Sequence, residues 1–212
     1  MRFRKTVFGA LIAGTACIAL LSLTSTAAES STDPHAQHRA APAESARVSR
    51  STANYAVPDI RLVRQDGRLV SLRQELSDDR PVVMAFIYTS CATVCPMTSH
   101  TLSELQAKLG ANRDRVHLVS VSIDPEQDTP SRLREYAKTF EAGPEWQHYG
   151  GSREASEAVQ RAFDVYRGAK MDHPAAILVR PSPNAPWVRL DGFPTAEQLY
   201  TELPGSLLSA SR

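Results

Sequence analysis

Cys91 and Cys95 stand four residues apart in Thr89-Ser90-Cys91-Ala92-Thr93-Val94-Cys95-Pro96, directly after the apolar run 82–88. Thiolates are soft nucleophiles and soft metal ligands, so the pair can cycle as a disulfide, hold a metal, or staple a loop. Pro96 lacks an N–H and its ring blocks the carbonyl four residues back, so a helix cannot extend far upstream of it. Cys95 therefore opens a helix and Cys91 lies in the loop before it. Free N–H groups and the positive dipole end of a helix start stabilise anions, which lowers a thiol's pKa. A third candidate is His173 in Met171-Asp172-His173-Pro174, just before a second apolar run, 175–179. Two thiolates and one imidazole make a donor set for copper: thiolates suit Cu(I), and the imidazole lets the same set accept Cu(II). Met97 and Met171 flank these residues, as soft contacts or as apolar packing. A purely structural bridge closing so short a loop restrains the unfolded chain little. A structural zinc site wants four protein ligands, and three are in view.

The elements that must position these residues follow from periodicity. Residues 60–64 and 68–72 flank Gln65-Asp66-Gly67 and read as a β-hairpin. Run 82–88 is continuously apolar, as in a strand buried on both faces, and 116–123 reads as the next buried strand. Residues 96–109 place Leu102, Leu105 and Leu109 on one helical face. Thr129 with Pro130 caps a second helix, 152–163 makes a third, and Thr195 caps a last one reaching residue 203. Residues 146–149 make a short strand. Runs 175–179 and 187–190 make a strand pair about a proline-rich turn, hence an antiparallel edge. Strands alternating with helices give an α/β fold with a mixed central sheet and helices on both faces. With a dithiol loop after a central strand and a leading hairpin, the arrangement suggests the thioredoxin-like fold. The loop after one central strand and the loop entering an antiparallel neighbour lie at the same sheet end, so Cys91, Cys95 and His173 can meet.

The 212 residues carry 24 basic and 23 acidic groups. That balance, with no basic stripe, gives no footprint for nucleic acid. Arg2, Arg4 and Lys5 precede an uncharged apolar stretch, 7–23, with small residues after it. Residues 1–28 thus read as a cleaved export signal or as an uncleaved membrane anchor. Without the three leading cations the chain has 21 basic and 23 acidic residues. Cys17 inside the apolar stretch reads as a small apolar residue. Residues 29–53, rich in Ala and Ser, read as a flexible linker in which His35 and His38 are solvated. The folded domain is then 54–206. Export places it in an oxidising compartment, where two thiols can pair. His100, His117 and His148 read as structural or exposed.

Four segments resemble the Sco/SenC family: YTSCATVCPMTS, VSVSIDPEQDTP with Asp124 and Asp128, VYRGAKMDHPAAILV, and WVRLDGF. Together they span about residues 54–203. The family comprises copper-binding assembly factors for cytochrome c oxidase with a thioredoxin-like fold. The resemblance implies that Cys91, Cys95 and His173 bind copper and that the cysteines also cycle as a disulfide. It implies an exported, periplasmic or membrane-anchored domain whose partners are the oxidase's copper-bearing subunit and other copper carriers. Asp124 and Asp172 match family positions, with plain readings as a turn residue and a loop acceptor. Pro174 after the histidine departs from the pattern; it stiffens the loop and can take the cis form.

Three functions compete on these residues. A copper metallochaperone delivering to the oxidase's dinuclear copper site needs Cys91, Cys95 and His173. A thiol–disulfide oxidoreductase keeping oxidase cysteines reduced needs only the cysteines. A thiol peroxidase, with Cys91 attacking and Cys95 resolving, leaves the Asp172-His173 pair without a role.

Overall fold

Residues 82–87, Val-Val-Met-Ala-Phe-Ile, have no face that tolerates water, and the fold is built around them. The computed structural model describes residues 48–208; the leader and most of the linker lie outside the described residues. Among these, eight strands form one sheet: β1 (Ser49–Ala53), β2 (Arg61–Arg64), β3 (Leu69–Ser71), β4 (Val82–Ile87), β5 (His117–Ser122), β6 (Trp146–Gly150), β7 (Ala176–Arg180) and β8 (Trp187–Asp191). The helices are α1 (Leu72–Glu75), α2 (Val94–Leu109), α3 (Pro130–Thr139), α4 (Arg153–Ala162), α5 (Ala196–Thr201) and α6 (Gly205–Leu208).

The strand order is β1-β8-β7-β4-β5-β6-β2-β3. β4, β5 and β6 run parallel, and β7 runs antiparallel to β4. Every residue of β4 and β5 is buried, as parallel strands covered on both faces require. Each large apolar side chain so buried contributes about 1.5–3 kcal/mol. Alternate residues feed two cores. Val83, Ala85, Leu118 and Ile177 pack with Leu102, Leu105 and Leu109 of α2 and Leu199 of α5. Met84, Phe86, Val119 and Leu178 pack with Val159 of α4 and with Phe163. Helices thus cover both faces, and the dithiol segment leaves the central strand β4 in the thioredoxin-like manner.

Two boundaries differ from the sequence reading. The linker assigned to 29–53 ends early: Ser49–Ala53 is a strand paired along its whole length with β8. It has no apolar period because it is an edge strand with four of five residues exposed, held by backbone hydrogen bonds. The last helix stops at Thr201, since a residue before Pro204 avoids helical geometry, and α6 follows with Leu207 buried. The folded region therefore exceeds 54–206 at both ends. The hairpin forms as read, with Gly67 at φ +87° in its turn, and it joins the main sheet through β6.

Candidate metal centre

α2 begins at Val94, not at Pro96; Pro96 sits in the first turn, where a missing N–H costs nothing. The spare N–H of Cys95 points back and donates to Cys91 Sγ at 3.4 Å. Both cysteines are free thiols, Cys91 about nine-tenths buried and Cys95 within the core. Burial alone would push the Cys91 thiol up. The backbone N–H groups of Cys95 and Thr93, then the Cys95 and Tyr88 side chains, outweigh it and bring the thiol down to about 7. Burial pushes Cys95 up to about 12, with the neighbouring Cys91 adding to the rise. Two thiols of one sequence motif are therefore electronically distinct: one poised to be a thiolate at neutral pH, the other held as a thiol.

The strand-to-loop corner is pinned by Asp128. Its carboxylate accepts from the Thr89 N–H at 3.1 and 3.2 Å, from the Thr89 hydroxyl at 2.5 Å and from the Ser122 hydroxyl at 2.6 Å. Asp128 is itself buried. Sequence reasoning placed it in a family segment without a role. Its partners come from two different strand ends, so no local pattern announces them. Its spacing, six residues past a strand ending in Ser122, was the available signal.

The His173 segment reaches the same end of the sheet. Ala85 pairs with Ile177, so stepping back along β7 sets His173 level with Thr89. A 3-10 turn, Lys170–Asp172, precedes it, and Pro174 holds His173 extended at φ −61°, ψ 126°. No described peptide bond is cis, so the bond before Pro174 is trans. Two contacts tie this turn to the dithiol side. Lys170 Nζ lies 2.5 Å from Asp124 Oδ2, and the Tyr88 hydroxyl donates to Met171 Sδ at 3.4 Å. Tyr88, read only as the end of a strand, thus meets the His173 loop through its hydroxyl, and its side chain is among the groups that lower the Cys91 thiol.

The His173 imidazole is largely buried over Phe86, with ring centroids 6.2 Å apart. Its Nε2 lies 3.2 Å from the Phe86 carbonyl, while Nδ1 is buried with no hydrogen-bond partner. A carbonyl can only accept, so Nε2 carries the proton and Nδ1 keeps a free lone pair, the usual state of a metal-ligating imidazole. Burial first, against help from the backbone of Phe86 and of Val165, lowers its pKa to about 4, so the ring is neutral at pH 7. Soft sulphur at Cys91 and Cys95 and an orphaned imidazole nitrogen fit a soft or borderline ion. The three are not closed into a site: among the described residues no three His, Cys, Asp or Glu side chains are gathered to hold a metal. Closure on His173 takes a movement of its loop.

The remaining histidines lie elsewhere. His100 is exposed beside Glu104, and His117 starts β5 at the opposite sheet end. His148 is buried with its ring 5.2 Å from that of Trp146. His35, His38 and Cys17 are outside the described residues, as is the leader; no described helix is long and apolar enough to cross a membrane.

Among known proteins, the chain is 40 % identical over 88 residues to the SCO1 protein homolog of Bacillus subtilis (strain 168), covering 41 % of this chain and 44 % of that protein. It is 33 % identical over 89 residues to a putative copper-binding protein of Stutzerimonas stutzeri, covering 42 % and 43 %. The matched stretch is thus under half the length of these relatives. The structure resembles Arabidopsis thaliana ScoI solved with copper bound, with a TM-score of 0.57 and 26 % identity over 72 % of this chain and 97 % of that one. The SCO1/SenC family matches residues 49–198, starting at the edge strand β1 and including both cysteines, Asp128 and His173. The chain belongs to the SCO1/SenC family.

Proposed function

We propose that this protein is a copper metallochaperone that holds copper through Cys91, Cys95 and His173 and delivers it to the dinuclear copper site of cytochrome c oxidase. The observation that carries the reading is the free, buried Nδ1 of His173, in a loop tied through Met171 and Tyr88 to the segment bearing Cys91. A redox pair alone has no use for that nitrogen. A family relative is named copper-binding and a structural neighbour was solved with copper bound, which supports copper as the cargo here. The oxidase as recipient, and a periplasmic or membrane-anchored location, rest on the family resemblance of the motifs. Within the site, the Cys91 thiolate receives the ion, Cys95 surrenders its proton on ligation, and His173 joins with its lone pair.

The second reading is a thiol–disulfide oxidoreductase acting on oxidase cysteines. The unequal thiols favour it: a low-pKa attacking thiol beside a buried partner is the arrangement that exchange requires. Mixing the copper-loaded protein with the copper-free, reduced copper-bearing domain of the oxidase separates the two. Copper absorption growing on the acceptor supports the chaperone. Retained copper, with rapid reduction of an oxidised acceptor by the copper-free dithiol, supports the oxidoreductase.

A further inference from the structure

We propose that Lys170 is a positioning residue of this centre: its ion pair with Asp124 anchors the turn that carries His173, so that the imidazole meets copper held at the thiols. The inference rests on the copper reading above. Lys170 Nζ lies 2.5 Å from Asp124 Oδ2, and the same ammonium sits 5.4 Å from the centre of the Tyr88 ring. Asp124 is a fixed anchor. Its side chain is 7 % exposed and its N–H donates to Ser122 Oγ at 3.0 Å. Its carbonyl accepts from the N–H groups of Gln127 and Asp128 at 3.1 and 2.9 Å. The Ser122 hydroxyl donates to the Asp128 carboxylate, which also accepts from the Thr89 N–H and hydroxyl, just before Cys91. A continuous chain of bonds thus runs from the root of the dithiol loop to Lys170.

Lys170 carries that position on to His173. In the 3-10 turn the Asp172 N–H donates to the Ala169 carbonyl at 3.0 Å and the His173 N–H to the Lys170 carbonyl at 3.3 Å. Downstream, the Ala175 carbonyl accepts from the Gly192 N–H at 2.8 Å, and β7 begins at Ala176. With Lys170 held, only residues 171–174 lie between two anchors, and Pro174 has a fixed φ. A short loop with fixed ends has few conformations to lose when its imidazole joins a metal. Packing does not hold the turn. Residues 167–169, 171 and 172 are exposed, and a cavity of about 220 Å³ is lined by Asp124, Ser156, Gln160, Gly168 and Lys170, among others. Loss of the ion pair frees the segment back to Gly168, whose φ of +81° makes it a ready hinge.

The test is a Cu(II) titration of the reduced protein and of Lys170→Met, Lys170→Arg and Lys138→Met. Electron paramagnetic resonance of the loaded proteins and urea unfolding of the copper-free ones accompany it. Lys138, paired with Glu135 on the surface of α3, is the control for a lost ammonium. Lys170→Met should weaken Cu(II) about tenfold and diminish the nitrogen hyperfine splitting that marks the imidazole. Its urea midpoint should stay unchanged, because an ion pair to a lysine 39 % exposed adds little stability. Lys170→Arg, which keeps a cation at that reach, should restore affinity and splitting, and Lys138→Met should change neither. Wild-type affinity and splitting in Lys170→Met overturn the positioning role and leave the copper reading standing. Weakening that comes with a lowered urea midpoint and is not rescued by arginine also overturns it, marking a structural residue. A wild-type protein that binds no copper, or binds it without nitrogen splitting, overturns the three-ligand reading and this role with it.

Discussion

Cys91 and Cys95 share a motif but not an environment, and the difference is a matter of which thiol the first turn of α2 can serve. The Cys95 N–H is spent on Cys91 Sγ, while Cys95 itself is buried in the core. Alkylation of the reduced protein should therefore show one fast thiol with a midpoint near pH 7 and a second that stays silent. Cys91→Ser should remove the fast phase; a single phase with an ordinary midpoint contradicts the asymmetry. Asp128 supports that corner through three donors, and Asp128→Asn replaces an acceptor oxygen with an N–H donor facing O–H and N–H groups. We expect a loss of about 1–3 kcal/mol in urea unfolding, the cost of leaving buried donors unpaired. The cysteines and His173 were legible in the sequence because their chemistry is carried by residue type. Asp128 and Tyr88 were not, because their roles depend on which strand ends the fold places side by side.

The central strand β4 was legible from composition alone, since it has no polar residue to blur the signal; β5 was read as a buried strand although His117, Ser120 and Ser122 interrupt its apolar run. β1 was missed for the opposite reason: its exposed side chains carry no pattern, and its backbone pairing with β8 is invisible in sequence. A chain beginning at Asn54 should accordingly unfold more easily than one beginning at Ala40, by about 2–4 kcal/mol for a few net backbone hydrogen bonds. It should also associate through the bared edge of β8. Equal urea midpoints and equal solubility for the two chains would show that β1 adds nothing. The start of α2 was misread by two residues because proline is tolerated throughout the first turn. That shift matters to function, since it is the spare N–H of Cys95, inside the helix, that lowers the Cys91 thiol.

Across the whole molecule, the sheet separates two kinds of histidine. His173 lies at the thiol end, whereas His117 and His148 are buried where neither thiol nor loop reaches, each with its pKa lowered to about 4, mainly by burial. The unfolded chain protonates both near their ordinary value of 6.5, and the folded one does so only near 4. Unfolding thus takes up protons in that window, so stability falls as pH drops from 6.5 toward 4. With His173, lowered by burial to the same value, three protons give about 4.1 kcal/mol per pH unit at the steepest. Urea unfolding from pH 7 to 4.5 measures this slope. His148→Phe, which removes two unpartnered buried nitrogens, should cut it by about a third and raise stability at pH 6. A variant with the wild-type slope would show that His148 is not held neutral. The central claim concerns the other histidine, and the measurement that bears on it most directly is Cu(II) binding to the reduced protein and to His173→Ala, followed by thiolate-to-copper charge-transfer absorption. One copper per chain, weakened at least tenfold (about 1.4 kcal/mol) with its absorption altered in the variant, is the predicted result. Binding of the same strength and spectrum in both proteins would contradict the three-ligand centre and leave Cys91 and Cys95 as a redox pair.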